Sequence, residues 1–260
     1  MKIATWNVNS LRVRLDHVLD FLAANEIDAL ALQETKLTDD KFPAAALGEA
    51  GYDAVFAGQP TYNGVAILSR RASVGAPTAV MRGNPLHKDP QQRLISAEVG
   101  GLRLVCAYFP NGQEVGSDKY EYKLAWIDAL RAWLAQPPAP EAAAATVLLG
   151  DFNIAPEDRD VHDPDAWRGA ILCSEPERER FRALLADGRV DAFRLFEQPE
   201  RSFSWWDYRQ LGFRRNAGLR IDHVLVDASL ASRVRACAID RAPRKLEKPS
   251  DHAPVIVEID

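Results

Sequence analysis

The chain has 260 residues, of which 47% are hydrophobic and 27% charged, and its formal net charge is −5. This composition is typical of a globular protein with a substantial core, and it excludes a disordered or fibrous chain. The acidic balance excludes a protein that binds nucleic acid through bulk charge alone.

The cysteines and the N-terminus indicate the compartment. Cys106, Cys173 and Cys237 are odd in number and form no C-x-x-C pair, which favours neither a disulfide framework nor a thiolate zinc site. A strand is predicted directly after Met1 and Lys2, leaving no room for a signal peptide, and no apolar run approaches the ~20 residues of a membrane span. We therefore expect a cytoplasmic protein that does not bind membranes.

The first half of the chain alternates apolar runs with one clear helix. Leu15, Val18, Leu19 and Leu22 share a helical stripe between two short apolar runs, which predicts a β-α-β unit over residues 2–33 and a parallel or mixed sheet. Four further strands are predicted at residues 53–56, 64–68, 94–99 and 102–108, the last two joined by a Gly-Gly hairpin.

The second half repeats this alternation. Helices are predicted over 118–135 and from a capping box at Ser174, and strands at 146–151, 203–206, 220–226, 235–239 and 255–259. About ten strands with three or four helices favour a four-layer α/β sandwich, in which two packed mixed sheets are flanked by helices. The Pro-rich segment 136–142 is predicted to be a linker inside a single domain spanning 1–260, because Tyr108 and Asp151 on either side of it belong to one candidate site.

Six apolar runs have polar side chains at one end, and this pattern predicts the site. A carboxylate at the end of a buried strand must be solvated, hydrogen-bonded or bound to a cation. Individually, these residues are equally consistent with helix caps at Asn7 and Asn9, an Asx turn at Asp151 or a packing role for His252. The terminal residues are Asn7 and Asn9, Glu34, Tyr108, Asp151 and Asn153, Asp222, and Asp251 with His252.

These residue types favour one kind of chemistry. Carboxylate and amide oxygens without clustered cysteines or H-E-x-x-H select Mg²⁺, with Mn²⁺ as a substitute, over Zn²⁺. Magnesium, an imidazole and amides are suited to phosphate ester hydrolysis, in which a carboxylate activates water. The chain contains no G-x-S-x-G elbow, Walker A loop or dinucleotide fingerprint to favour a rival reaction.

Seven short motifs together resemble the exonuclease III family of DNA repair nucleases. They occur in the family's order and span nearly the whole chain, at residues 6–12, 33–36, 108–112, 150–156, 204–209, 218–222 and 250–254. The resemblance implies the deoxyribonuclease-I-like sandwich fold and Mg²⁺-dependent cleavage of double-stranded DNA that leaves a 3′-hydroxyl. The implied activities are 3′–5′ exonuclease, 3′-end trimming as a phosphatase or phosphodiesterase, and abasic-site endonuclease.

The resemblance also implies a metal site. Glu34 is its principal ligand, and the surrounding oxygens come from Asn7, Asp151, Asn153 and Asp251.

Catalytic roles follow from the same resemblance. Asp151 orients or deprotonates the attacking water, while Asn153 and His252 hold the scissile phosphate. Asp222 fixes the tautomer of His252 and favours its charged form, and Tyr108 stabilises the transition state or the leaving oxygen.

Further residues are expected to bind DNA. Asn111 and Asn9 are expected to bind phosphate, with Asn9 also organising the surroundings of the metal, whereas Arg12, Lys36 and Arg209 are predicted backbone contacts. The basic clusters over 209–220 and 241–248 are either a solvated surface or a phosphate-facing patch.

A pocket for a base-less sugar is implied at Trp205, Leu219 and Ile221, with plain core packing as the alternative. Trp206 is predicted to be core. We also consider the hypothesis that the bulk of Trp167 and Arg168 narrows this pocket and shifts preference from internal abasic sites toward damaged 3′ ends.

Two other functions remain open from the sequence. The same scaffold supports phosphoesterases for inositol phosphates or phospholipids, and a binding module that has lost activity is the third alternative. We expect the partner to be double-stranded DNA with abasic sites, damage or 3′ ends, and the protein to be a monomer.

Overall fold

The computed structural model describes residues 1–136 and 145–260. The segment predicted to be a linker, 136–142, lies outside the described residues beyond Gln136. Within the described ranges, no helix combines the length and the apolar character needed to cross a membrane.

The described residues form twelve strands in two six-stranded sheets. In chain order the strands are β1 (Lys2–Asn7), β2 (Ala29–Gln33), β3 (Tyr52–Ala57), β4 (Val65–Arg70), β5 (Thr78–Arg82), β6 (Leu94–Val99), β7 (Leu102–Tyr108), β8 (Thr146–Asp151), β9 (Arg189–Asp191), β10 (Asp222–Asp227), β11 (Val234–Ile239) and β12 (Val255–Ile259). The first sheet has the order β11-β12-β1-β2-β4-β3, and the second has the order β5-β6-β7-β8-β10-β9.

Five α-helices connect these strands in the described part of the chain. They are α1 (Leu11–Asn25), α2 (Ala44–Glu49), α3 (Arg71–Val74), α4 (Asp118–Leu134) and α5 (Glu175–Ala186). Short 3₁₀ turns occur at Asp39–Lys41, Asp158–Asp160, Ala192–Leu195, Arg209–Leu211, Ala228–Arg233 and Ala242–Lys245.

Three apolar clusters separate four layers. Ile67 and Leu104 belong to the cluster between the two sheets. Val18 of α1 packs against the outer face of the first sheet, and Leu130 of α4 and Phe181 of α5 pack against the outer face of the second. The predicted sandwich of two mixed sheets flanked by helices is therefore confirmed.

Strand β8 shows why the apolar runs are continuous rather than alternating. Val147 and Leu149 point into the cluster between the sheets, whereas Leu148 joins the cluster beneath α4 and α5. A strand covered on both faces needs apolar side chains at every position. The run can end on Asp151 only because the strand reaches the edge of the sheet there.

The register brings the strand ends together. Each sheet has one parallel pair at its centre, β1 with β2 and β7 with β8. In the second sheet Tyr108 and Asp222 both lie opposite Asp151 on the strands that flank β8. Side chains that are distant in sequence thus share one edge of the sandwich.

Several predicted elements require correction. Residues 203–206 do not form a strand, because only Trp205 makes isolated bridges, to Leu219 and His252. Strands β5 and β9 were not predicted, and the five helices exceed the three or four expected. Strand β5 lies at the edge of its sheet with three exposed residues, and β9 has only three residues, so neither has a clear apolar run.

Candidate active site

One amide connects the two sheets at the edge of the sandwich. Asn7 Nδ2 donates to Glu34 Oε1 and to Asp151 Oδ2, both at 2.9 Å. His252 Nε2 lies 3.7 Å from the same Asp151 oxygen. The ends of β1, β2 and β8 and the segment before β12 therefore form a single site, and Glu34 and His252 share it.

Left-handed backbone conformations direct several of these side chains. Asn9, Glu34, Lys36 and Asn153 have φ values of 43°, 53°, 55° and 50°. Asparagine adopts this region more readily than most residues, whereas a glutamate or lysine there costs about 1–3 kcal/mol of strain. Such strain is concentrated at functional sites.

Glu34 is held in its ionised form. Burial alone would raise the pKa of its carboxyl, but the Lys36 ammonium at 2.8 Å and the hydrogen bond from Asn7 lower this pKa below its ordinary value. The carboxylate retains partial exposure, because 18% of its side-chain surface is accessible. A partly exposed, ionised carboxylate is a suitable ligand for a divalent cation.

Asp251 is the second carboxylate on this side of the site. Its Oδ1 accepts from Asn9 Nδ2 at 2.9 Å, and its Oδ2 accepts from Trp205 Nε1 at 3.0 Å. Burial acts to raise its pKa, but His252 and these two donors lower it below the ordinary value. Lys36 Nζ donates to Asn9 Oδ1 at 2.6 Å, so Glu34 and Asp251 belong to one connected polar group.

Asp151 has the opposite ionisation behaviour. Burial raises the pKa of its carboxyl to about 7, with His252 acting to lower this pKa and Asp222 to raise it. Its Oδ1 accepts from the backbone N–H of Asn153 at 2.9 Å, which is the Asx-type turn considered from the sequence. A carboxyl group with a pKa near neutrality is suited to exchanging a proton with water.

His252 is oriented by Asp222. The imidazole Nδ1 donates to Asp222 Oδ2 at 2.9 Å, and Ser204 Oγ donates to the same oxygen at 2.7 Å. Burial would lower the pKa of His252, but Asp222 and then Asp151 raise it to about 10. The imidazole is therefore a cation near neutral pH, with Nε2 directed toward Asp151.

Tyr108 faces Glu34 from the second sheet. Its hydroxyl donates to Glu34 Oε1 at 2.9 Å, and the Arg93 guanidinium lies 4.7 Å from its ring centroid. Burial, Glu34 and Asp151 raise the pKa of the phenol well above its ordinary value. The phenol is thus a neutral hydrogen-bond donor.

Asn111 and Asn153 form an amide pair beside Tyr108. Asn111 Nδ2 donates to Asn153 Oδ1 at 3.1 Å, and Asn153 Nδ2 donates to the carbonyl of Phe109 at 3.0 Å. Asn111 is exposed while Asn153 is buried. The pair offers polar groups to an anion approaching from solvent.

The donor set fits a hard divalent ion. In the described part of the chain, Asp151, Asp222 and His252 have ligand atoms within 4.8 Å of one another. However, Asp222 and the Nδ1 of His252 are already hydrogen-bonded to each other, which favours the more exposed carboxylates Glu34 and Asp251 as cation ligands.

The three basic residues predicted to contact DNA differ in exposure and in their partners. Lys36 is engaged with Glu34 and Asn9, Arg12 is exposed, and Arg209 is exposed and paired with Asp207 at 2.7 Å. Among the basic clusters, Arg220 is buried and paired with Asp160 and Asp191, so it is not part of a phosphate-facing patch.

A cavity of about 390 Å³ lies next to the site. Trp205 and Trp167 line it, whereas Leu219 and Ile221 lie in the apolar cluster beneath, 0% and 2% exposed. Arg168 is not among its lining residues and pairs instead with Asp165 in solvent. Trp206 is fully buried, as predicted.

The sequence interpretation missed two polar residues that contact the site. Ser204 donates to Asp222, and the buried Lys123 donates to the backbone carbonyls of Asn111 and Asn153 at 3.2 and 2.7 Å. Lys123 lies on the otherwise apolar face of α4 with Leu124, Ile127 and Leu130. A lysine on that face indicates a buried partner, and this pattern could have identified Lys123 from the sequence.

Known proteins resemble this chain in both sequence and fold. A family model described as the endonuclease/exonuclease/phosphatase family matches residues 4–252. The chain is 34% identical over 271 residues to exodeoxyribonuclease III of Haemophilus influenzae, covering 99% of each protein. It is similar to the structure of the 3′ phosphatase NExo from Neisseria bound to a product DNA hairpin, with a TM-score of 0.95 and 47% identity over 100% of this chain and 99% of that one. For an AP endonuclease from Archaeoglobus fulgidus the TM-score is 0.93 and the identity 38%, over 100% and 99% of the two chains.

Proposed function

This chain belongs to the endonuclease/exonuclease/phosphatase family, and on that basis we propose that it is a metal-dependent DNA hydrolase of DNA repair that acts on 3′ ends. The observation that carries this proposal is the Asn7 amide, which holds Glu34 and Asp151 in one site beside His252. Relatives that are exodeoxyribonucleases, 3′ phosphatases and AP endonucleases support DNA as the substrate.

Glu34 is the principal ligand of the divalent ion, which is Mg²⁺ or Mn²⁺ in this proposal. Asp251, Asn7, Asp151 and Asn153 would supply further oxygens to it. When bound, the ion neutralises charge that develops on the phosphate. The ionised state of Glu34 and Asp251 without any metal supports these ligands.

Asp151 prepares the attacking water. Its carboxylate accepts a proton from water or holds the water in position by a hydrogen bond. The support is its pKa of about 7, which lets the group take up a proton during the reaction and release it afterwards.

His252 and the amide pair bind the scissile phosphate. The imidazolium Nε2 donates to a non-bridging oxygen, and Asp222 keeps the ring oriented with its proton. Asn153 and Asn111 add neutral donors on the other side, while Tyr108 donates from its hydroxyl to the developing charge or the leaving oxygen. Each such donor is typically worth about 10²- to 10³-fold in rate.

DNA backbone phosphates flank this centre. Arg12 and Arg209 are exposed cations, and in this proposal they contribute salt-sensitive affinity without sequence selection. Lys36 and Asn9 bind phosphate closer to the proposed metal ligands, because both already contact the polar group around Glu34 and Asp251.

The preferred substrate is a damaged or phosphorylated 3′ end rather than an internal abasic site. Trp167 occupies part of the wall of the cavity beside Trp205, where a flipped-out sugar would have to enter. The similarity to a 3′ phosphatase at 47% identity, against 38% for an AP endonuclease, favours the same substrate. A cytoplasmic monomer remains the prediction from sequence.

Hydrolysis of inositol phosphates or phospholipids is the less favoured alternative. The similar proteins described above are named for activities on DNA. Release of phosphate from inositol phosphates or phospholipids, with DNA left intact, would favour it.

Two labelled duplexes test the proposal. One carries a 3′-phosphate and the other an internal abasic site, and each is incubated with Mg²⁺ or with a chelator. We expect metal-dependent processing of both, with faster release of the 3′-phosphate. No processing of either duplex in Mg²⁺ contradicts the hydrolase function, and faster abasic cleavage contradicts the preference for 3′ ends.

A matched pair of variants tests the cavity. Trp167→Ala should raise the abasic-to-3′-phosphate rate ratio about tenfold by opening the wall. Arg168→Ala is the control, because this neighbour lies outside the cavity lining and should leave the ratio unchanged. Equal ratios in the wild type and both variants contradict the role of Trp167.

A further inference from the structure

A buried ion pair lies directly behind the amide pair of the site. Lys123 on α4 and Glu177 on α5 are bonded to each other, and both side chains are 0% exposed. Burying two charges carries a large desolvation cost, which replacement by apolar residues of similar size often avoids without loss of stability. Contribution to stability alone is therefore a weak explanation for this pair.

All three ammonium hydrogens of Lys123 have an acceptor. They are directed to the Glu177 carboxylate, to the carbonyl of Asn153 at 2.7 Å and to the carbonyl of Asn111 at 3.2 Å. An ammonium has three donors and no lone pair, so this set of three acceptors matches the charged form. One cation thus fixes the backbones of both asparagines.

Glu177 anchors the pair on the other side. Its Oε1 accepts from the backbone N–H of Leu172 at 3.1 Å, and its Oε2 accepts from Ser174 N at 3.0 Å and Ser174 Oγ at 2.6 Å. Leu172 lies in the apolar cluster beneath Trp167 and Trp205, and its carbonyl accepts from the N–H of Ala155 at 2.8 Å. The ion pair therefore connects three segments around the site.

Gly112 allows the loop after β7 to cross Lys123 closely. Its φ is +89°, and a Cβ at this position would lie 3.1 Å from Lys123 Cδ and 2.9 Å from Ile171 Cδ1. A larger residue would push the loop away from the lysine. The close approach keeps the Asn111 carbonyl within reach of the ammonium.

We infer that Lys123 and Glu177 are positioning residues, which set the separation of Asn111 and Asn153 so that both amides meet the same phosphate. This inference rests on the proposed function. Neither residue contacts substrate; they act through the backbones of the two asparagines. Misplacing reacting groups by about 1 Å can cost about 10²-fold in rate. Loss of the ion pair should therefore lower kcat.

The double variant Lys123→Met, Glu177→Gln tests this role. Methionine keeps most of the side-chain volume, and glutamine keeps an acceptor for Ser174. The control is Arg131→Met, Asp187→Asn, which removes a 3.0 Å pair from the far end of α4. Removal of a 3′-phosphate is measured for kcat and KM, and thermal unfolding is followed for each protein.

We expect kcat of the double variant to fall about 10- to 100-fold. KM should change less than about threefold, since DNA affinity is spread over many backbone contacts. The control variant should keep both constants. A cooperatively folded double variant with wild-type kcat overturns the inference.

A second double variant covers the case in which the first does not fold. Lys123→Gln, Glu177→Gln keeps one amide donor for the two carbonyls, so its kcat should fall, but by less than about tenfold. An unchanged kcat in this folded variant also overturns the inference. Absence of hydrolysis by the wild type contradicts the proposed function instead, whereas an active wild type with equally active variants contradicts only the positioning role.

Discussion

The partly exposed Glu34 and the buried Asp151 accept hydrogen bonds from the same Asn7 amide, yet the pKa values of the two carboxyls shift in opposite directions. The pKa of Glu34 is lowered, because Lys36 at 2.8 Å, the hydrogen bond from Asn7 and the charge of His252 together outweigh the effect of burial. The pKa of Asp151 is raised to about 7, because burial dominates and Asp222 adds negative charge nearby.

The difference shows how the surroundings of two similar groups suit them to the two proposed functions. On the first sheet a lysine keeps a carboxylate ionised, which suits cation binding. On the second sheet a carboxylate without its own lysine has a pKa near neutrality, which suits proton transfer. The neighbours of each carboxylate, rather than its residue type, determine its role.

Of the three substitutions that test these roles, Asp151→Asn should have the largest effect on the rate of hydrolysis. The amide keeps the shape of the side chain but accepts no proton, so we expect the single-turnover rate to fall by roughly 10²- to 10⁴-fold. The acid limb of the pH–rate profile should disappear, because the wild-type limb reflects loss of the carboxylate as pH falls through its pKa of about 7. Asp53→Asn, a surface carboxylate paired with Arg71, is the control. Retained activity with an unchanged acid limb would show that Asp151 is not the base.

Asp222→Asn should have the next largest effect. It removes the charge that holds the pKa of His252 at about 10, so that pKa falls. A cationic His252 is lost as pH rises through its pKa, and the alkaline limb of the pH–rate profile should therefore move to lower pH. The rate at neutral pH should fall about 10²-fold as the donor loses its orientation. An alkaline limb that stays at the same pH would show that it does not reflect the ionisation of His252.

Much of the site was predictable because most of its residues lie directly before or after an apolar run. Asn7, Glu34, Asp151 and Asp222 lie where strands reach the sheet edge, and two strands covered on both faces must end there with polar residues. The four layers followed similarly from the spacing of strands and helices.

Other features were not predictable from local patterns. Strand β9 has only three residues, and residues 203–206 bridge to neighbours at Trp205 alone. The burial of Arg220 depends on Asp160 and Asp191, which are distant in sequence. The opposite pKa shifts of Glu34 and Asp151 depend on distances that no single motif contains.

Lys36→Met should have the smallest effect of the three. Without the ammonium, the pKa of Glu34 rises, so metal binding should become more sensitive to acid. We expect the ratio of half-saturating Mg²⁺ at about pH 6 to that at about pH 8 to increase about tenfold. Using the ratio removes any pH-independent change in affinity caused by the lost charge. Lys41→Met, in the 3₁₀ turn that follows, is the control. Equal ratios in the wild type and Lys36→Met would show that this lysine does not keep Glu34 ionised.

The roles of the two carboxylates are distinguished most directly by two measurements on Glu34→Gln and Asp151→Asn. Mn²⁺ binding is followed by electron paramagnetic resonance, and hydrolysis of a 3′-phosphate duplex is measured on the same proteins. Both variants should lose hydrolysis, but Glu34→Gln should weaken Mn²⁺ binding at least about tenfold, and Asp151→Asn by clearly less. Equal loss of Mn²⁺ from both variants, or full Mn²⁺ binding by Glu34→Gln, would contradict the division between metal ligand and base.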